Sequence, residues 1–138
     1  MRVVIDTVAL TDMRNFPQCG DWHFDGECLT VKVAANGDWR SEMCIAVHEI
    51  VEALLCRTQD IPETAIDDFD RSWRPHSGLD EAGADPAAPY YMAHMSAMSL
   101  EHHLATVFGL PWARHEALID EAERQARAYM KMAKAFTK

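Results

Sequence analysis

No stretch of this sequence holds the roughly 20 consecutive apolar residues that a helix needs to cross a bilayer. The opening residues, MRVVIDTVAL, have neither the apolar core nor the small-residue cleavage site of a secretory signal. The expectation is a cytoplasmic protein with no membrane partner. Basic residues are scarce as well: 13 Lys and Arg stand against 22 Asp and Glu, a formal charge of -9. Nucleic acids and anionic membranes require clustered cations to displace counterions, so neither is expected to bind. Glycine and proline number only six each and no internal repeat is visible, while apolar residues make up 49%. That combination excludes low-complexity and disordered chains. Of four cysteines (Cys19, Cys28, Cys44 and Cys56), two fall inside an apolar helical run, where free cysteine behaves as a small hydrophobe. All four are expected to be reduced.

What is present fits one domain of 138 residues, long enough to bury roughly 70% of the surface of its unfolded chain. The β-branched segment Arg2 to Leu10 reads as a first strand, and Thr11 to Asp21, with Pro17 and Gly20, as a loop. Trp22 to Phe24 and Glu27 to Ala34 read as a hairpin turning at Asp25-Gly26, with Leu29, Val31 and Val33 on its buried face. Residues 38–57 read as a helix capped by Asp38 or Ser41, and 61–71 as a shorter one with Pro62 in its first turn and Ile66 and Phe69 inward. The Pro, Gly and Asp content of 72–89 predicts a loop, which carries His76, Asp80, Glu81 and Asp85. Residues 90–109 form a second apolar helix. The stripe from Trp112 through Leu118, Ala122, Ala126, Tyr129, Met132 and Phe136 predicts an amphipathic helix over 112–136, packed on its own domain or on a second copy as a homodimer. The fold class is therefore α+β, a small antiparallel N-terminal sheet of three strands followed by three to four helices.

Within the first long helix, MCIAVHEIVEALLC places His48, Glu49 and Glu52 in an otherwise apolar run. His48 and Glu52 lie one turn apart on one face, and an unpaired carboxylate moved out of water is costly enough to demand a partner. A divalent cation meets that demand. A His followed at once by Glu and, at i+4, by a second ligand is the arrangement of zincin metallopeptidases, here with Glu52 in the second ligand position. The second helix offers His94 and Glu101, two turns apart on one face with Ala97 between. The expected metal residues are His48, Glu52, His94 and Glu101, with Glu101 either a fourth ligand or the group that holds a ligating imidazole by its Nδ1–H. Zinc is the expected ion, and Glu49 the general base that takes the proton from the attacking water. His102, His103 and His115 are read as ordinary surface or helix-end histidines. Met92, Met95 and Met98 are read as core filler, and Trp22 and Trp39 as turn and core anchors. Cys19, His23 and Cys28 are not expected to form a second zinc site.

Beyond that helix, the segments GDW at Gly20 to Trp22, GDWR at Gly37 to Arg40, HEIVEALLC at His48 to Cys56, Asp67 to Asp70, and DPAAPYYMAH with Glu101 resemble a family of small proteins of phages and prophages. The likeness covers most of the chain up to Gly109 and implies a phage-encoded protein working in a bacterial host. It carries no activity with it. Three functions remain open on the residues: a zincin-like hydrolase acting on a peptide or protein; a non-catalytic protein that binds a host partner, with a structural metal or none; and a magnesium-dependent nucleotide pyrophosphohydrolase using Glu49, Glu52, Asp67 and Asp70.

Overall fold

A computed structural model describes residues 1–13 and 18–136. Pro17, expected in the first loop, lies outside the described residues. The elements in chain order are β1 (Arg2–Val8), β2 (Gly20–Asp25), β3 (Cys28–Ala34), α1 (Trp39–Thr58), α2 (Glu63–Ser72), α3 (Tyr91–Val107) and α4 (Trp112–Phe136), with 3₁₀ turns at Leu10–Asp12 and Ala82–Ala84. A three-stranded sheet followed by four helices makes the chain α+β.

The sheet order is β1-β3-β2. The hairpin β2–β3 is antiparallel and closes on the pair Asp25↔Cys28, so its two-residue turn is Gly26-Glu27, one residue later than expected. Gly26 sits at φ +56°, where a side chain is disfavoured. β1, by contrast, runs parallel to β3 from Arg2↔Cys28 to Val8↔Ala34. The sheet is thus mixed rather than wholly antiparallel. Because β3 is central, the chain leaving β1 must cross to the far edge before β2 begins, and the β2–β3 hairpin then returns it beside β1 in the same direction. Leu29, Val31 and Val33 are fully buried on one face of β3, and Trp22 and Phe24 lie opposite Val31 and Leu29 on β2. That face packs on α1.

Helix α1 starts because the Asp38 carboxylate accepts from the Arg40 amide at 3.0 Å, leaving Ser41 free for another use. It ends at Gln59, followed by Asp60 at φ +55°. Its buried residues include Ser41, Cys44, Ile45, His48, Glu52 and Cys56, a stripe at helical spacing. Among the described elements, α1 packs most extensively on α3, whose buried residues are Ala93, His94, Ala97, Glu101 and Ala105. Three alanines on that stripe let the two backbones approach closely. Met92 and Met95 are exposed, contrary to their reading as core, because they lie on the opposite face of α3. Ile66 is buried under α2, with Phe69 packed on the same core. In α4 the stripe is buried at His115, Leu118, Ala122 and Ala126 only, while Tyr129, Met132 and Phe136 are exposed. All four cysteines are free thiols. Among the described residues no helix is long and apolar enough to cross a membrane.

Candidate metal centre

Burial of a carboxylate and two imidazoles between α1 and α3 is affordable only if each finds a partner, and here they find one another. His48 Nε2 lies 3.3 Å from His94 Nδ1 and 3.4 Å from Glu52 Oε2, and His94 Nδ1 lies 2.8 Å from Glu52 Oε2. All three residues are less than a tenth exposed. A tetrahedral ion at about 2.05 Å from each ligand would hold them about 3.3 Å apart. Two edges of the triangle already have that length. The third is a hydrogen bond, and a metal taking the place of its proton would open it by about half an ångström. This buried group of His48, Glu52 and His94 can hold a metal ion.

Each ligand is oriented from behind. His48 Nδ1 and Glu101 Oε2 are 2.7 Å apart, which leaves His48 Nε2 facing the triangle when Nδ1 carries the proton. Glu101 Oε1 in turn is 2.6 Å from His115 Nε2. The other nitrogen of His115 is 2.8 Å from Ser41 Oγ, which also accepts from Asn36 Nδ2 at 2.8 Å. A chain of buried polar groups therefore runs from the start of α1 through α4 and α3 to His48. Glu101, left above with two possible roles, stands behind His48 and outside the triangle. Glu52 spends its second oxygen on the indole N–H of Trp22, at 3.0 Å, so Oε2 is the one turned to the two histidines.

His94 is pressed from the other side by the 72–89 segment. A Cβ added at Gly83 would collide with its imidazole ring. Its Nε2 lies 3.2 Å from Glu81 Oε1, yet among the described residues it is buried without a hydrogen bond. Of the other polar residues in this segment, His76 Nε2 and the Trp73 indole both bond Asp85 Oδ2, each at 2.8 Å. His76 and Asp85 are committed to each other; the contribution of the segment to His94 comes from Gly83 and Glu81.

Glu49 is one residue round α1 from His48. It borders the same cavity as the triangle, which has a volume of about 810 Å³. Its carboxylate lies against Gly20 of β2, where any Cβ would overlap it. Burial and then the neighbouring charge of Glu52 raise the Glu49 pKa well above the usual carboxylate range. Glu52 goes the other way: burial opposes its charge, but hydrogen bonds from His48 and His94 win and lower its pKa to about 2. Burial likewise disfavours charge on His94, and the carboxylates of Glu52 and Glu81 outweigh it, lifting the pKa to about 9. Two glutamates three residues apart on one helix thus differ in proton affinity because hydrogen bonds from two imidazoles outweigh burial at Glu52, while burial prevails at Glu49.

His115 is the clearest departure from the sequence reading. It is fully buried and bonded at both nitrogens, whereas a surface or helix-end position was expected. The available signal was its register, since positions 115, 118, 122 and 126 form one stripe at helical spacing. Ser41 was weighed only as a cap, and Trp22 only as an anchor. His102 and His103 are exposed, His102 stacking on Trp112 at 4.4 Å between ring centroids. His23 pairs with Glu63 at 3.0 Å, and the Cys19 thiol lies 3.8 Å from the Ile119 carbonyl oxygen.

No protein-family model, curated protein or solved structure matches this chain. Its function has to be argued from the site itself.

Proposed function

We propose that the protein is a zincin-like, zinc-dependent hydrolase of a peptide or protein, with His48, Glu52 and His94 as metal ligands and Glu49 as general base. The observation that carries this reading is the buried triangle of two imidazole nitrogens and one carboxylate oxygen, opening on a cavity that Glu49 also borders. Mixed nitrogen and oxygen donors suit zinc, whereas magnesium and calcium prefer oxygen alone. Zinc would polarise the scissile carbonyl. Glu49, with its raised proton affinity, would take a proton from the attacking water and return it to the leaving amine. Glu101 and His115 would keep His48 in the tautomer that offers Nε2, and Trp22 would keep Glu52 turned inward. The resemblance to phage and prophage proteins adds the expectation that this chemistry takes place inside a bacterial host.

A second reading, the magnesium-dependent nucleotide pyrophosphohydrolase, is favoured by one observation: Glu49, Glu52, Asp67 and Asp70 border the same cavity. Against it, Asp70 Oδ1 accepts from the Tyr90 hydroxyl at 2.6 Å and Glu52 is held by Trp22 and His94. Neither carboxylate is poised for a hydrated magnesium ion.

Metal analysis of protein purified without an affinity tag tests the proposal. One equivalent of zinc is expected, lost in His48→Ala. Glu49→Gln is expected to fold, to keep the metal and to be inactive against a peptide panel; a metal that only fastens α1 to α3 would leave biological activity intact in that variant. Magnesium-dependent release of pyrophosphate from nucleoside triphosphates would transfer support to the second reading.

A further inference from the structure

The cavity in front of the triangle has a one-sided charge that the chain as a whole does not explain. Among the described residues, twelve of the chain's 22 carboxylates border it, against only two of its 13 lysines and arginines. Both cations are already engaged. Arg74 donates to the carbonyls of Arg71 and Trp73, and Arg127 pairs with Glu123. A polyphosphate entering here would meet mostly like charge, and a cation would be drawn in.

We infer that this cavity receives a cationic polypeptide segment, with lysine or arginine side chains flanking the bond that is cut. This names the substrate class of the proposed hydrolase and rests on that reading. Size distinguishes such an occupant from a bare metal ion: about 810 Å³ falls within the range of about 300–1,000 Å³ typical of ligand pockets. Trp73 and Trp112 also border the cavity, and aromatic faces attract alkylammonium and guanidinium groups. A further feature is a buried N–H donor. The Nε2 of His94, a residue only 4% exposed that borders the cavity, makes no hydrogen bond among the described residues, although Glu81 Oε1 stands 3.2 Å away. With its proton on that nitrogen, as metal binding through Nδ1 requires, His94 would donate to a peptide carbonyl oxygen that takes the place of Glu81 Oε1 beside it. In the reaction water would supply hydroxyl to the acyl carbon, the C–N bond would break, and the proton passed through Glu49 would leave on the amine. No other reactant is needed.

The test is binding to the full-length protein as purified, followed by calorimetry, with three blocked octapeptides that differ only in carrying four lysines, four glutamates or four serines. The lysine peptide is expected to bind at least tenfold tighter than either other, and less tightly as salt is raised. Asp120→Asn combined with Glu123→Gln, both on the cavity wall and away from the triangle, should weaken it at least fivefold with metal content unchanged. Asp6→Asn combined with Asp12→Asn, which removes the same charge from outside the cavity, should leave it within twofold. Equal loss in the two double variants would show attraction to the net charge alone and overturn the inference, as would tighter binding of a magnesium–nucleoside triphosphate. Metal analysis of the same samples keeps the two ideas separable. Stoichiometric zinc without lysine preference overturns only the substrate class, while absence of zinc overturns the hydrolase even where the lysine peptide binds.

Discussion

At the scale of single residues, the decisive feature is that His48 and Glu52 each have their second atom occupied. Glu101 joins His48 to His115, and Trp22 holds the outer oxygen of Glu52. Groups behind a ligand typically matter by about 10–100-fold in metal affinity. His115→Phe, which keeps an aromatic ring, though a larger one, and removes both ring nitrogens, is therefore expected to weaken zinc binding by that order in a competition titration with a chromogenic chelator. His102→Ala, on the exposed side of α3, should leave affinity unchanged. Equal effects of the two substitutions would remove His115 from the site.

Asp70 offers a test that does not involve the ligands. Burial raises its pKa despite the hydrogen bond from Tyr90. A carboxyl group whose folded pKa exceeds its unfolded value contributes stability at low pH that is lost as pH rises through the folded pKa. Asp70→Asn keeps an acceptor for the Tyr90 hydroxyl and removes the charge. It should raise the melting temperature at pH 7 and leave it unaltered near pH 3, where the carboxyl is protonated in both states; a loss of stability at pH 7 would contradict the assignment.

At the scale of elements, the centre depends on three contacts between segments distant in sequence: α1 on α3, β2 behind α1, and the turn Ala82–Ala84 against His94. Gly83 is the most sensitive of these. Its backbone lies so close to the His94 ring that an added methyl group must displace one or the other. Overpacking of this kind costs about 1–3 kcal/mol. Gly83→Ala is expected to lose that much stability in urea denaturation and to weaken zinc binding together with it, whereas Gly78→Ala, in open space though at φ +79°, should affect stability alone. Undiminished zinc affinity in Gly83→Ala would show that the turn does not position His94.

The helices themselves were legible in the sequence because each carries its own periodicity and its own boundary chemistry. α4 spans the expected 112–136, and the ends of α1, α2 and α3 fall within two residues of expectation. The sheet was less legible. Alternation identifies strands and Asp-Gly suggests a hairpin, but neither records which edge a third strand joins. β1 pairs in parallel with β3 because the intervening chain crosses over, and that crossing leaves no mark on β1 itself.

For the molecule as a whole, burial separates the four thiols. It pushes Cys19 and Cys56 up to about 12 and Cys44 up to about 11, so the reactive thiolate is suppressed at neutral pH. Cys28, half-buried at the start of β3, is the most accessible. Iodoacetamide at pH 8 should label Cys28 first in the native protein, with the other three labelled only in denaturant, as read by peptide mass spectrometry. Early labelling of Cys44 would mean that the α1–α3 interface opens far more readily than its packing implies.

The sequence by itself determined the α+β class, the helix carrying His48, Glu49 and Glu52, and the pairing of that helix with the one carrying His94 and Glu101. Those are one-dimensional signals: spacing along a helix, and polar residues whose burial demands a partner. Only the tertiary structure decided that Glu101 stands behind His48, that His115 and Ser41 extend the same chain of hydrogen bonds, and that Trp22, Glu81 and Gly83 complete the surroundings. Hydrogen-bond partners are chosen by distance in space. His115 is 74 residues from Ser41, and no periodicity within either helix encodes that they meet.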